Sequence, residues 1–224
     1  AVHSMKDLPT NAPEGLVISA VSYREDPSDV LLINKNITDK SKVLQLPEKA
    51  RVGTSSSRRK GQLLDIRPDL QLVDIRGNVP TRIQKLKQGD FDAIILASAG
   101  LARLDIDTTS FHVIRFDPTE IVPAPAQGVL AWQTMANDIQ TRKILMGIHQ
   151  SEVSDVTNVE RKVLNLMNGG CQMPLGVYCY KDKFGNYHVH AAYSTSFDLP
   201  ITRVSISSAT HFQLAEKVVE KLRS

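Results

Sequence analysis

Apolar positions recur along the chain with two different periods, and each period predicts its own elements. Short apolar runs at 16–21, 30–33, 91–97 and 129–133 read as strands, as do 70–75 and 112–116. The run 91–97 is nearly all apolar, which suits a buried parallel strand. Helical patterns lie between them. One carries Leu63, Leu64 and Ile66 and is stopped by Pro68; another opens at Pro80 and runs through Lys87; a short one covers 99–104. Residues 34–48 read as loop and partial helix. Strands alternating with helices predict a mixed or parallel α/β sheet, in which ligands sit at the carboxyl ends of strands.

The stretch 118–128 contains Pro118, Pro123 and Pro125 and reads as a crossover or hinge, followed by a helix at 139–149. The longest helical pattern starts at Ser151. It carries Val153, Val156, Val159, Val163, Leu164, Leu166 and Met167, at spacings of mostly three and four. A strand at 177–180, a turn at Gly185-Asn186, strands at 187–193 and 201–207 and a helix at 212–222 complete a small α+β unit with an antiparallel sheet. There is no internal repeat or low-complexity tract.

Composition narrows the classes. A hydrophobic content of 42% supports packed cores. No apolar run approaches membrane-spanning length, and no signal-peptide pattern occurs. Two cysteines, Cys171 and Cys179, are too few for a disulfide framework and fit a reducing, cytoplasmic setting. Neither they nor the six histidines show metal-ligand spacing. The first residues, Ala1-Val2-His3, read as those of a fragment or a processed piece. Net charge is +3, but residues 51–87 hold nine cations against three anions. That concentration suggests an anionic partner, and the six arginines to three lysines there favour forked recognition of carboxylate or phosphate.

Two stretches carry candidate chemistry. Asn168-Gly169-Gly170-Cys171-Gln172-Met173-Pro174 places a thiol on a short loop between a helix and a strand. The glycines suit a left-handed helix stop and close backbone approach. Cys171 is then a candidate nucleophile, although locally a small buried core residue is the more common role of such a cysteine. Gly53-Thr54-Ser55-Ser56-Ser57-Arg58-Arg59 joins a strand end to a helix start. Its hydroxyls are N-cap candidates, and the unpaired N–H groups with two guanidinium forks make an anion site, with a capped helix and solvated arginines as the even alternative. Arg76-Gly77-Asn78 closes the next strand, so both stretches can face one cleft. His3-Ser4-Met5-Lys6-Asp7 is dense in polar groups for its length.

Taken together, His3-Ser4-Met5-Lys6-Asp7, the stretch from Gly53 to Arg59, Arg76-Gly77-Asn78 with Thr81-Arg82, and Gly169-Gly170-Cys171-Gln172 resemble the porphobilinogen deaminase (hydroxymethylbilane synthase) family in order and spacing. Glu160-Arg161 ahead of the cysteine looks like that family's cofactor-attachment signature. The resemblance implies an α/β fold with two lobes like periplasmic anion-binding proteins, domains 1 and 2, plus a small α+β domain 3. Residues 1–24 and 127–147 then form the remnant of domain 1, 28–122 domain 2, and 151–224 the cofactor-bearing domain 3. It also implies a transferase of tetrapyrrole (haem) biosynthesis that joins four porphobilinogen molecules head to tail with loss of ammonia. A dipyrromethane cofactor is attached to Cys171 as a thioether.

By resemblance, Asp7 is the catalytic carboxylate. Arg58, Arg59, Arg76 and Arg82 match carboxylate-binding positions for substrate, and Lys6, Ser4 and Ser56 join Arg58, Arg59 and Arg76 around the cofactor. The arginines are expected to bind carboxylates rather than hold the fold, so that Arg59→Leu or Arg76→Leu costs activity far more than melting temperature. Several departures stand out. Family members carry about a hundred residues of domain 1 before the hinge (a domain-sized piece), including a motif like Gly-Thr-Arg-Gly-Ser. That motif is absent here, so this chain is expected to start inside domain 1 and to be inactive alone. Met173, Ser57 and Ala126 replace the usual Ile or Val, Leu and Gly. The partners implied are porphobilinogen and the growing pyrrole chain, for a monomer without metal, membrane or nucleic acid. A non-catalytic anion-binding module is the alternative reading, and an attached-cofactor mass separates the two. Nucleic-acid binding is disfavoured because no aromatic residue lies between Arg51 and Lys87.

Overall fold

The computed structural model describes residues 1–170 and 173–224. In chain order the strands are β1 (Val2–Ser4), β2 (Leu16–Val21), β3 (Asp29–Asn34), β4 (Arg51–Gly53), β5 (Gln71–Val73), β6 (Ala93–Ala97), β7 (Phe111–Arg115), β8 (Leu130–Met135), β9 (Leu175–Lys181), β10 (Tyr187–Tyr193) and β11 (Thr202–Ser208). The helices are α1 (Ser57–Ile66), α2 (Val79–Lys87), α3 (Ser98–Arg103), α4 (Ile139–Met146), α5 (Ser151–Leu166) and α6 (Leu214–Arg223). Among the described residues the strands form three sheets, ordered β1-β8-β2, β5-β4-β6-β3-β7 and β11-β10-β9.

The five-stranded sheet is mixed. β4 runs parallel to β5 and β6, whereas β3 is antiparallel to β6 and β7. The run 91–97, expected as a parallel strand, is therefore parallel on one side only. Its apolar character follows from two-sided cover. α1 closes one face with Leu63, over Leu46, Leu70 and Ile121. α2 closes the other with Ile83 and Leu86, beside Leu101 of α3. Each such side chain contributes about 1.5–3 kcal/mol on full burial. Local signals set the helix ends. Ser56 accepts from the Arg59 N–H at the start of α1, and Asn78 accepts from the Thr81 N–H at the start of α2, with Pro80 in its first turn.

α5 buries Val156, Val159 and Val163 against β9, β10 and α6, where Val177, Val189, Val218 and Leu222 meet them. The left-handed residue after α5 is Asn168 (φ 54°), not a glycine as the sequence suggested. Space at Gly169 is tight: a Cβ there would lie 2.6 Å from a Leu164 methyl and 2.8 Å from the Met173 sulfur, both ends of flexible side chains that would have to move. α4 ends at Met146 rather than 149 and buries none of its residues.

The chain crosses between the small sheet and the five-stranded sheet twice, before β3 and after β7. The two crossings touch. Glu25 N donates to Gly128 O at 2.9 Å, and a Cβ on Gly128 (φ 91°) would sit 2.3 Å from Glu25 O. Only glycine permits that approach and that dihedral together.

Candidate functional site

A cleft of about 190 Å³ lies where the three sheets meet. Its polar wall comes from two distant stretches. Lys6 and Asp7 sit in a single 3-10 turn after β1, anchored by buried Met5, whose N–H donates to Val129 O. Ser56, Arg58 and Arg59 come from the start of α1. The rest of the lining is Gln127 and the apolar or backbone surface of Ala124, Pro125, Leu164, Gly170, Met173 and Leu175.

Behind the polar wall lies a buried charge network. Asp29, at the start of β3, is wholly buried; Arg58 reaches one of its oxygens at 2.8 Å and Arg59 the other at 2.7 Å. Arg58 also donates to Val122 O, and Arg59 to Ile95 O. Burial alone would raise the Asp29 pKa, but the two guanidiniums outweigh it and hold the carboxyl below the usual range. Gln127 donates to Asp29 Oδ1 at 2.9 Å and accepts from the Lys6 ammonium at 3.3 Å. Burial and the nearby Arg59 push the Lys6 amine down to about 8, against the opposing pull of Asp29 and Asp7. Three cations therefore share one buried carboxylate, and the buried Nε of Arg59 has no partner among the described residues. The surplus positive charge is suited to an anionic ligand.

Both arginines of α1 are only 5–6% exposed. Truncating either would leave a gap beside Asp29, which draws them inward from the helix start. The charge surplus of 51–87 is likewise not one open patch. Arg67 spends its fork on Asp69 and on the carbonyls of Val43, Leu46 and Pro47, Lys60 pairs with Asp74, and Arg51 pairs with Asp92. Arg76 is exposed. Arg82 donates to Gly77 O, and burial together with Arg59 lowers its pKa. Ser4 pairs with Leu130 on β1. Ser4, Arg76 and Arg82 do not line the cleft; Lys6, Asp7, Ser56, Arg58 and Arg59 do. Cys171 lies outside the described residues, and Gly170 just before it lines the cleft.

Sequence reasoning missed Asp29 and Gln127. It noted Glu160 only as part of a motif. Glu160 is wholly buried in α5, where it takes a two-pronged contact from Arg24 and the N–H groups of Ala126 and Cys179. Four hydrogen bonds to one carboxylate join the crossing segments to α5 and β9. Cys179 itself lies in the core, and burial pushes its thiol pKa up, the opposite of a reactive cysteine. Among the described residues no cluster of three His, Cys, Asp or Glu side chains could hold a metal, and no helix is long and apolar enough to cross a membrane.

Fold and cleft together define an α/β protein with a cationic cleft assembled from segments far apart in the chain. Residues 1–143 match the family model described as "Porphobilinogen deaminase, dipyromethane cofactor binding domain". The chain belongs to the porphobilinogen deaminase family. A porphobilinogen deaminase of Chloroherpeton thalassium is 43% identical over 198 residues, covering 88% of this chain and 60% of that protein. One from Campylobacter jejuni is 45% identical over 177 residues, covering 79% and 56%. The chain thus spans somewhat over half the length of these relatives. Among solved structures, an arginine-specific periplasmic binding protein of Salmonella typhimurium is 12% identical with a TM-score of 0.40, over 64% of this chain and 59% of that one.

Proposed function

We propose that the protein is a hydroxymethylbilane synthase, condensing four porphobilinogen molecules head to tail with release of ammonia. The observation that carries this reading is the cleft itself: exposed Asp7 lines it together with Lys6, Arg58 and Arg59 and with the apolar Leu164, Met173 and Leu175. A pyrrole bearing acetate and propionate needs both kinds of lining, cations for its carboxylates and apolar surface for its ring. The residues fit a dipyrromethane, since the cationic surplus and the orphaned Arg59 Nε call for carboxylates. Attached to Cys171, that group would supply the pyrrole carbon from which the chain grows. Lys6, Ser56, Arg58 and Arg59 would hold its carboxylates, with Arg76 and Arg82 contributing toward the longer chain.

In this reading Asp7 does the proton and charge work. Porphobilinogen becomes cationic as ammonia leaves, and a fixed carboxylate near the pyrrole N–H stabilises that charge and moves the proton. The three sheets support domains at 1–24 with 127–147, 28–122 and 151–224, the first two as lobes around the crossings. Sparse cysteine usage supports a cytoplasmic setting.

Intact mass and single-turnover kinetics test this. The purified protein should carry the mass of a dipyrromethane, lost in Cys171→Ser and kept in Cys179→Ser. In a full-length version, Asp7→Asn should retain the mass and lose about 10²–10³ in rate, with Asp7→Glu between. Added mass retained in Cys171→Ser, or near-normal turnover in Asp7→Asn, sinks the residue assignment. Anion binding with neither mass nor turnover would leave only a binding module.

A further inference from the structure

Asp7 has a positional problem. Its side chain is exposed and makes no hydrogen bond to any described residue. Among the described residues its place is therefore fixed by its backbone, a one-turn 3-10 segment with a single long internal bond, Leu8 N to Met5 O at 3.3 Å. Such a turn is weak by itself.

The guanidinium of Arg161, reaching across from the middle of α5, meets that turn on both sides. Its Nη1 donates to Met5 O at 3.1 Å and Leu8 O at 3.2 Å, and its Nη2 to Pro9 O at 2.6 Å. These carbonyls bracket Lys6 and Asp7. Four residues along the same helix, Asn165 donates to Asn11 Oδ1 at 2.8 Å, further down the same loop. Arg161, Leu164 and Asn165 are spaced to share one helix face, and Leu164 lines the cleft. The helix then leads through Asn168 and Gly169 to Gly170, which also lines the cleft.

We infer that Arg161, assisted by Asn165, is a positioning residue: it fixes the Asp7 turn to α5 and so sets the distance from the Asp7 carboxylate to the chain entering the cysteine segment. The kinetic part of this inference rests on the synthase reading; the structural part does not. Arginine suits the place because two nitrogens held in one plane reach three carbonyls at once, Met5 and Leu8 from Nη1 and Pro9 from Nη2, whereas a lysine offers a single ammonium centre on a flexible stem.

Hydrogen exchange and kinetics on the intact protein test it. In Arg161→Gln, backbone amides of residues 5–12 should exchange at least tenfold faster, while those of β9 to β11 keep their protection. Turnover of porphobilinogen should fall about 10²-fold in kcat with little change in KM, as expected for a misplacement near 1 Å. Arg161→Lys, which keeps the charge, should fall nearly as far. In an Asp7→Asn background the same Arg161 substitution should cost less than threefold, since the group it positions is already gone. Asn165→Ala, the milder change, should move exchange and kcat the same way and serves if Arg161→Gln does not fold. Unchanged exchange in the loop overturns the clamp. An equal loss in kcat with and without Asp7 overturns the positioning role, as does full rescue by lysine. A full-length version that consumes no porphobilinogen defeats the synthase reading and the kinetic role with it, and the exchange data then decide the clamp alone.

Discussion

Asp29 is buried with an arginine on each oxygen and Gln127 sharing one of them. Such a set is stable only when complete, because removing one cation leaves charge and carbonyl groups buried without partners. Arg58→Met should therefore lower unfolding free energy by about 3–5 kcal/mol. Arg76→Leu, at an exposed position, should stay within about 0.5 kcal/mol. Urea denaturation of both variants checks this, and a cost below 1 kcal/mol for Arg58→Met would show that Asp29 is held without it. Arg59→Leu is expected to lose stability as well as activity, which revises what the sequence suggested. The reason for the miss is specific. Asp29 reads locally as a polar strand edge before the run 30–33, and its partner Gln127 lies 98 positions away. Gln127 also takes the Lys6 ammonium from 121 positions away. Local pattern carries no trace of such pairings.

Elements were more legible than residues. The burial of α5 follows from its apolar spacing near 3.6 residues, and the two-sided burial of β3 and β6 from their continuous apolar runs. What failed was fine placement: α4 ends early, and Asn168 rather than a glycine takes the left-handed stop. Ala126 is the sharpest case. It lies in the second crossing, wholly buried, at φ 62°, with its N–H on Glu160. Three terms compete when it becomes glycine. Relief of left-handed strain gains about 1–2 kcal/mol, greater unfolded-state freedom loses about 0.4–1 kcal/mol, and the lost buried methyl costs about 0.8 kcal/mol. They nearly cancel, so Ala126→Gly should change stability by less than about 1 kcal/mol. Ala126→Val should cost about 2 kcal/mol or more, since a β-branched residue is an outlier at this dihedral and the site is full. Equal stability for the glycine and valine variants would refute the strain argument.

At the scale of the whole molecule, the cleft draws on all three sheets' surroundings: the turn after β1, the start of α1, and the residues flanking the α5-to-β9 connection. A ligand seated there should therefore stabilise the molecule as a unit. At a hundredfold excess over its dissociation constant it adds about 2.7 kcal/mol, which for a chain of this size raises the melting temperature by roughly 5–10 °C. The effect must depend on pH, and Lys6 fixes the sign. Its amine titrates near 8 in the empty cleft, because burial and Arg59 disfavour its charge. A bound carboxylate favours that charge and raises the pKa, so binding takes up a proton above pH 8 and weakens as pH rises. The empty protein moves the opposite way: its Lys6 pKa lies below the usual lysine value, so stability increases between about 8 and that value as the buried charge is lost. The measurement is thus the difference in melting temperature with and without porphobilinogen at fixed pH. It should be largest at pH 7 and shrink by pH 9.5, and Lys6→Met should flatten the profile. A shift that grows with pH would place the ligand's carboxylates away from Lys6, and two separate transitions of which only one moves would show that the cleft does not bind the three parts together.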